Sequence, residues 1–419
     1  MIFFLSSFRR ARRWRNSWLR LLFISISSFL IIDFIRITHS SSPILRISPS
    51  SQILRKEKVF IASTHWNNEK ILRSHWNKAL VDLVRQFGPE NVYISISEGG
   101  SWDNSKGALR ELDTELEKLG VARMIELNTT THQEEIERIS PSDEEGWIST
   151  SGGKKELRRI PYLSKIRNRV MERLTELSAY DEPKIFDKVL WLNDVVFTTE
   201  DVLTLLNTRD GEYAAACSMD FSKPPIYYDT FALRDISGAR SVSLTWPYFL
   251  SSTSRHALVS NAPVPVQSCW NGIIALDAAA FYTHPPLKFR GVPDSLANYH
   301  LEASECCLIH ADNHLSSEKG VWLNPHVRVG YNAEAYDTVN PLNGETWPSP
   351  AQKVLGIWGN RWARVSGMPR RLTEQYVVKK RVRQWARERN EDETRGGENG
   401  VHCMINEMQI LAGNGWKHL

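Results

Sequence analysis

Leu190-Trp191-Leu192-Asn193-Asp194-Val195-Val196-Phe197 is an apolar run broken once, by an adjacent Asn and Asp. An apolar run of this length without alternation reads as a strand buried on both faces, and the polar pair marks its end. Ligands of open α/β sheets bind just beyond the carboxyl ends of strands, which makes Asn193 and Asp194 the first candidates for a metal or phosphate site. A plain turn is the competing reading, since Asn-Asp pairs start loops and Thr198-Thr199 follow at once.

Strands and helices alternate on either side of this run. Val59 to Ser63 is a short apolar segment, and Ile71, Leu72, Trp76, Ala79, Leu80, Leu83, Val84 and Phe87 then recur at helical spacing before Gly88-Pro89. Val92 to Ser97 predicts a strand, Lys106 to Leu119 a helix ended by Gly120, and Val121 to Leu127 a further strand. Tyr162 to Leu177 and Thr199 to Leu206 read as helices, and Tyr213 to Cys217 and Ile273 to Leu276 as strands. The alternation predicts an α/β fold with a mostly parallel central sheet. Thr129 to Glu156, with Gly152-Gly153, reads as a polar surface excursion, and Phe221 to Val266 as long functional loops. A helix is predicted near Glu302 to Ile309, a basic helix over Gln375 to Arg389, and a loose, solvated stretch over Glu391 to Gly400.

Over 419 residues, 42% hydrophobic and 24% charged content excludes wholesale disorder and a disulfide-stapled miniprotein. The net charge of +4 hides an uneven distribution: residues 1–36 hold seven Arg against one Asp, which leaves about −2 for the rest. A nearly neutral body offers no footprint for nucleic acid, so the basic head points to a membrane. Trp18 to Ile37 reaches spanning length, with Arg20 and Asp33 near its two ends. Positive charge on the N-terminal flank keeps that end cytoplasmic and places the body in the lumen, a type II signal anchor. A cleaved signal peptide is the alternative, with Ser40-Ser41-Ser42-Pro43 following. The plan is a basic tail (1–17), a transmembrane anchor (18–37), a Ser/Pro-rich stem (38–57), an α/β domain (58–345) and a C-terminal extension (346–419). Cys217, Cys269, Cys306, Cys307 and Cys403 lack zinc-type spacing, and their odd number leaves a thiol over from any pairing, which stays open. Asn128-Thr129-Thr130 is a glycosylation sequon.

Four more clusters could carry chemistry. Arg167 and Asn168 are helix neighbours able to reach a diphosphate together; a solvated basic face is the bland alternative. In Ser268-Cys269-Trp270-Asn271-Gly272, Trp offers a flat face to a sugar, Asn a donor and an acceptor, and Gly close backbone approach; core Trp and an Asn-Gly turn is the other reading. Glu305, His310 and Asp312 bring carboxylates and an imidazole together as base or metal groups, against a structural helix. Asp229, Arg234 and Asp235 suit sugar hydroxyls or phosphates, against a loop-borne salt bridge.

Taken in order, RNRV, LWLNDVVF, AACSMDF, YDTFALRD, SCWNGIIALD, KFRG, SECCLIHAD and WLNPHVRVGY resemble the fungal α-1,3-mannosyltransferase family of capsule-associated proteins across roughly residues 58–332. The resemblance implies a GT-A fold over 58–345, a type II Golgi protein, GDP-mannose as donor, a mannoside or polysaccharide acceptor, and a divalent metal, commonly manganese, with magnesium the other hard cation suited to a diphosphate. GT-A enzymes hold that metal with an acidic D-x-D element; here the triplet is Leu192-Asn193-Asp194, so Asp194 becomes the metal ligand and Asn193 a supporting hydrogen bonder. Asp312 and His310 are expected to complete the shell. Arg167, Asn168 and Asp220 are assigned to the donor, and Trp270, Asn271, Gly272, Arg234 and Asp235 to the acceptor. Retention is implied, by front-face displacement or by a double displacement in which Glu305 or Asp229 is the nucleophile. The incomplete D-x-D and the basic C-terminal helix motivate an alternative of a different class, a noncatalytic scaffold that organises other enzymes of a Golgi glycosyltransferase complex or aids polysaccharide export. A transferase for another nucleotide sugar is a third reading.

Overall fold

The computed structural model describes residues 2–39, 57–138, 144–149, 153–342, 345–388 and 397–419. Most of the stem (40–56), residues 139–143 and 150–152 of the polar excursion, Arg389 at the end of the expected basic helix and residues 391–396 of the loose stretch lie outside the described residues.

A ten-stranded sheet organises the body. In chain order its strands are β1 (Val59–His65), β2 (Val92–Glu98), β3 (Ala122–Leu127), β4 (Lys188–Leu192), β5 (Ala215–Lys223), β6 (Ile226–Tyr227), β7 (Arg234–Asp235), β8 (Val264–Ser268), β9 (Ile273–Asp277) and β10 (Val321–Gly330). They lie in the order β3-β2-β1-β4-β9-β5-β10-β8-β7, with β6 paired to β5. β3, β2, β1 and β4 are mutually parallel, as the alternation predicts. β9 then enters reversed between β4 and β5, and β5 resumes the first direction parallel to β10. Seven of the ten strands point the same way, β9, β8 and β6 being the reversed ones. The sheet is therefore mixed in pairing but mostly parallel in direction.

Alternate side chains feed two apolar layers, as the period of a strand requires. Val59 and Ile61 of β1 and Leu190 and Leu192 of β4 pack with Trp76, Leu80 and Leu109 on one face. Phe60, Ala62, Val189 and Trp191 pack with Val170, Leu174 and Trp270 on the other. The first layer is closed by α2 (Asn77–Phe87) and α3 (Ser105–Lys118), the second by α4 (Arg159–Ser178). Removing one such side chain, as in Leu174→Ala, costs about 2–5 kcal/mol.

The zone from Phe221 to Val266 is more structured than its faded periodicity suggests: it holds β6, β7, the start of β8 and a helix over Ser252–Val259. α5 (Thr199–Leu206) leads into β5, and α6 (Glu305–Asp312) starts after a short strand, Glu302–Ala303, that pairs with Met404–Ile405. The C-terminal residues are stitched back onto the body by a disulfide between Cys307 and Cys403. A second disulfide joins Cys217 to Cys269, and Cys306 is the free, buried thiol. Two further helices, α7 (Pro350–Ser366) and α8 (Met368–Glu388), precede this return; the sequence reading anticipates only the second half of α8. The N-terminal helix α1 (Ile2–His39) contains Trp18–Ile37, long and apolar enough to cross a membrane at a mean hydropathy of 1.9.

Candidate active site

Asp194 stands two residues beyond the end of β4. The backbone that carries it is pinned from both sides: Asn193 N–H donates to the Gly272 carbonyl at 2.9 Å, and the Asn193 carbonyl accepts from Trp76 Nε1 at 2.9 Å. The following helix is capped by Thr198, whose Oγ1 accepts from Asp201 N–H at 3.3 Å, so Asn193 and Asp194 are not spent on capping. Asp194 Oδ2 accepts from Asn68 Nδ2 at 2.8 Å, and burial pushes this carboxyl up to about 6. Gly272 closes the facing turn at φ +74°, where a Cβ would sit 2.2 Å from Val329 Cγ2. Only glycine permits that approach.

Asp220, on β5, is fully buried and fully engaged. Its Oδ1 accepts from Asn271 Nδ2 at 3.1 Å and from Asp229 N–H at 3.2 Å, and its Oδ2 accepts from the Tyr331 hydroxyl at 3.3 Å. Asn271 Nδ2 also donates to the Asp229 carbonyl, so one buried amide ties both acid-bearing segments together. Asp229 accepts from Phe231 N–H at 3.0 Å. Burial, and then the charge of Asp229, drives the Asp220 carboxyl far above the usual carboxylate range; burial likewise raises Asp229. Tyr228 and Tyr331 pack with ring centroids 4.5 Å apart, and both lie within electrostatic reach of Asp194, Asp220 and Asp229. Three acids thus surround a pair of phenol rings at the carboxyl ends of β4 and β5.

Opposite them, α4 presents Arg167. Its guanidinium lies over Trp270, Trp191 and Phe289 at 4.9, 5.0 and 5.9 Å from the ring centroids. Nε donates to Glu305 Oε1 at 3.1 Å, while Nη1 is buried with no hydrogen-bond partner. An unpaired guanidinium nitrogen in an aromatic box beside an acid cluster is a donor waiting for an acceptor. The free thiol of Cys306 adjoins Arg167 and Glu305, and burial pushes it well up.

Asp194, Asp220, Asp229, Asn271, Gly272, Arg167 and Glu305 are therefore brought together, with Asn193 contributing through its backbone. Other assignments move off the site. Asn168 spends both amide atoms on the Phe289 backbone, at 2.8 Å each, and so places a ring of the box rather than facing a diphosphate. Trp270 is 2% exposed and gives its face to Arg167, not to a sugar. Arg234 is buried, donating to the carbonyls of Phe231, Leu233, His402 and Cys403. Asp235 accepts from the backbone of Ser237, Ala239 and Ser251, organising its own loop. Asp312 is held by both Nε and Nη2 of Arg290. His310 bonds the Cys269 carbonyl at 2.8 Å, and burial lowers its pKa to about 4. Neither joins the acids around Asp194.

Sequence reading misses Asn68, Tyr228, Tyr331, Trp191 and Phe289. Tyr228 and Tyr331 stand inside YDTFALRD and at the end of WLNPHVRVGY, but nothing in either segment announces that the two rings meet.

The donor set suits a hard divalent cation: Asp194, Asp220 and Asp229 offer enclosed oxygen ligands, and a bound cation would favour the ionised carboxylates that burial alone disfavours. Among the described residues, sulfur and imidazole donors converge at Cys307, His402 and Cys403, but the disulfide occupies both sulfurs. A cavity of about 400 Å³ opens at the carboxyl ends of β2 and β3, lined by Ser97, Gly99, Leu127, Asn128 and Tyr162 among others. A larger one of about 820 Å³ lies against α4 at Arg158, Asn168 and Arg290, and none of the site acids lines it.

The sequence profile of a family described as Cryptococcal mannosyltransferase 1 matches residues 58–312, more than half of the chain. The chain is 26% identical over 267 residues to the α-1,3-mannosyltransferase CMT1 of Cryptococcus neoformans, a match covering 60% of this chain and 53% of that relative, about half its length. Among solved structures it overlaps the mannosyltransferase PcManGT of Pyrobaculum calidifontis in complex with GDP-Man and Mn2+, at 10% identity and a TM-score of 0.34 over 81% of each chain. It also overlaps GalNAc-T7 with UDP, GalNAc and Mn2+, at 12% identity and a TM-score of 0.37 over 65% of this chain and 43% of that one. The chain belongs to the cryptococcal mannosyltransferase 1 family.

Proposed function

We propose that this member of the family is a retaining α-1,3-mannosyltransferase that uses GDP-mannose and a mannoside or polysaccharide acceptor in fungal glycan synthesis. One observation carries the reading: beyond β4 and β5, Asp229 links a cluster of buried acids to a buried Arg167 whose Nη1 has no partner. A negatively charged leaving diphosphate satisfies that nitrogen, and the aromatic box keeps water from competing for it. Family membership supports the transferred sugar and the linkage, through the relative's name as an α-1,3-mannosyltransferase.

Asp194, with Asp220 nearby, holds a divalent cation, manganese on the family reading, which when bound stabilises the departing phosphate charge. Arg167 donates to the same phosphates, and Glu305 is a positioning residue that fixes the guanidinium through Nε. Asp229, on the loop after β6, faces the transferred sugar, and Tyr228 beside it is 56% exposed, open to an incoming acceptor. The nucleoside occupies the crevice at β2 and β3.

The protein is further read as a single-pass type II Golgi membrane protein anchored by Trp18–Ile37, with its domain in the lumen. Two disulfides support an oxidising compartment. The test is GDP release from GDP-mannose and a short α-mannoside, with manganese or with chelator, by the full chain and by Asp194→Asn. Metal-dependent release with a mannosylated product, lost in the variant, is the expected result. No release with any nucleotide sugar by folded protein returns the noncatalytic scaffold; full activity in Asp194→Asn removes the site assignment.

A further inference from the structure

α7 has its polarity inverted. Its buried positions are Lys353, Gly356 and Asn360, with Gly356 so close to the Trp246 carbonyl that a Cβ would meet it at 2.0 Å. Its outward positions are apolar: Leu355, Trp362 and Val365 are each at least 70% exposed and follow one another at helical spacing. The face continues into the first turns of α8 as Met368, Leu372 and Tyr376, at every fourth residue and all about half exposed or more. Such a contiguous apolar face on a helix of a water-soluble body is a contact surface.

Three observations fix what it contacts. First, it adjoins the apolar span: Phe29 meets Trp358 edge-on at 6.2 Å, and Asp33 is paired bidentately with Arg361 at 2.6 and 3.0 Å. Second, these contacts sit at the C-terminal end of the span. Phe29, Asp33 and Ile37 lie on one face of α1 and cover about 12 Å of its length, from the interface to just inside the apolar region. Third, residues 350–376 carry five Lys and Arg against one Glu, with Trp362 and Tyr376 among the outward residues, the amphipathic aromatics that sit at headgroup level.

We infer that α7 and the first turns of α8 form a ledge that lies in the surface of the bilayer beside the anchor and seats the domain against the membrane. The inference rests on reading Trp18–Ile37 as a membrane span. Arg361 then offsets the cost of carrying Asp33 close to the apolar region, and the orientation of the body is set by the anchor and the ledge together.

The test uses the full chain in phosphatidylcholine–phosphatidylserine vesicles, spin-labelled one site at a time through Leu355→Cys, Trp362→Cys and Leu372→Cys. Ile24→Cys reports the span, and Lys118→Cys the opposite edge of the sheet; Cys306 is buried and stays unlabelled. Collision with oxygen is expected to exceed collision with a water-soluble nickel chelate at 355, 362 and 372, as at 24, with the reverse at 118. Nickel-dominated collision on the ledge with a lipid-like Ile24 overturns the inference and leaves the anchor standing. Exclusion of both agents from the ledge also overturns it, since a protein surface then covers these residues. A nickel-accessible Ile24 removes the anchor, and the ledge falls with it.

Discussion

Two buried arginines sit on the same stretch of chain and are treated in opposite ways. Arg158, at the start of α4, is saturated: Nε and Nη2 donate to the two oxygens of Glu302 at 3.2 and 2.8 Å, and Nη1 donates to Asp294 at 2.6 Å and to the Val292 carbonyl at 3.0 Å. Arg167, over two turns further along, makes one ion pair, rests on three rings and keeps Nη1 unpartnered. Both charges are out of water, so the difference is not one of burial. A saturated buried guanidinium holds parts of the fold together; an unsaturated one keeps a bond in reserve for something that arrives later.

The sharpest way to break this contrast is to remove each in turn. Arg158→Met strands Glu302 without its counter-ion and is expected to cost about 3–5 kcal/mol in denaturant unfolding, with GDP release per folded molecule unchanged. Arg167→Lys keeps the charge but loses the planar fork; turnover is expected to fall about 10²- to 10³-fold, while stability moves by about 1 kcal/mol. If Arg158→Met lowers turnover of folded protein as strongly as Arg167→Lys does, the division between the two residues collapses.

Asp194 extends the contrast to the acids. Its folded pKa of about 6 lies above the ordinary carboxylate value, so the metal-free fold pays for this charge above pH 6 and is relieved of it as pH falls towards 4. Asp194→Asn is therefore expected to stabilise the metal-free protein at pH 7 by about 1–2 kcal/mol, discounted for partial exposure, even as activity is lost. Thermal unfolding across pH checks the sign: the gain over the parent should vanish near pH 4. For the same reason, manganese affinity measured by calorimetry should weaken about tenfold for each pH unit below 6, and not in Asp194→Asn.

The legible parts of the molecule are those where neighbours in sequence answer to one environment. β1 to β4 and the helices between them follow from unbroken apolar runs and helical spacing, and Asp194 is visible because two polar residues interrupt one of those runs. The unread parts depend on encounters across the chain. Glu305, His310 and Asp312 look like one cluster on paper, yet the turn of α6 sends them to Arg167, the Cys269 carbonyl and Arg290 respectively. β10 hides behind Asn324-Pro325, and its last residues meet β5 only after a register shift. α7 escapes because its apolar residues face outward and its polar ones inward, the reverse of the pattern that announces a core helix.

The Cys217–Cys269 bond closes a ring 52 residues apart in sequence, and that ring contains the whole stretch from Phe221 to Val266. Asp220 and Asp229 both ride on it, with Asn271 just past the clasp. A single peptide cut anywhere inside the ring leaves every fragment attached under non-reducing conditions. The segment that carries two of the site's acids can lengthen, shorten or be nicked between fixed ends, and its anchorage to β5 and to the end of β8 survives the change.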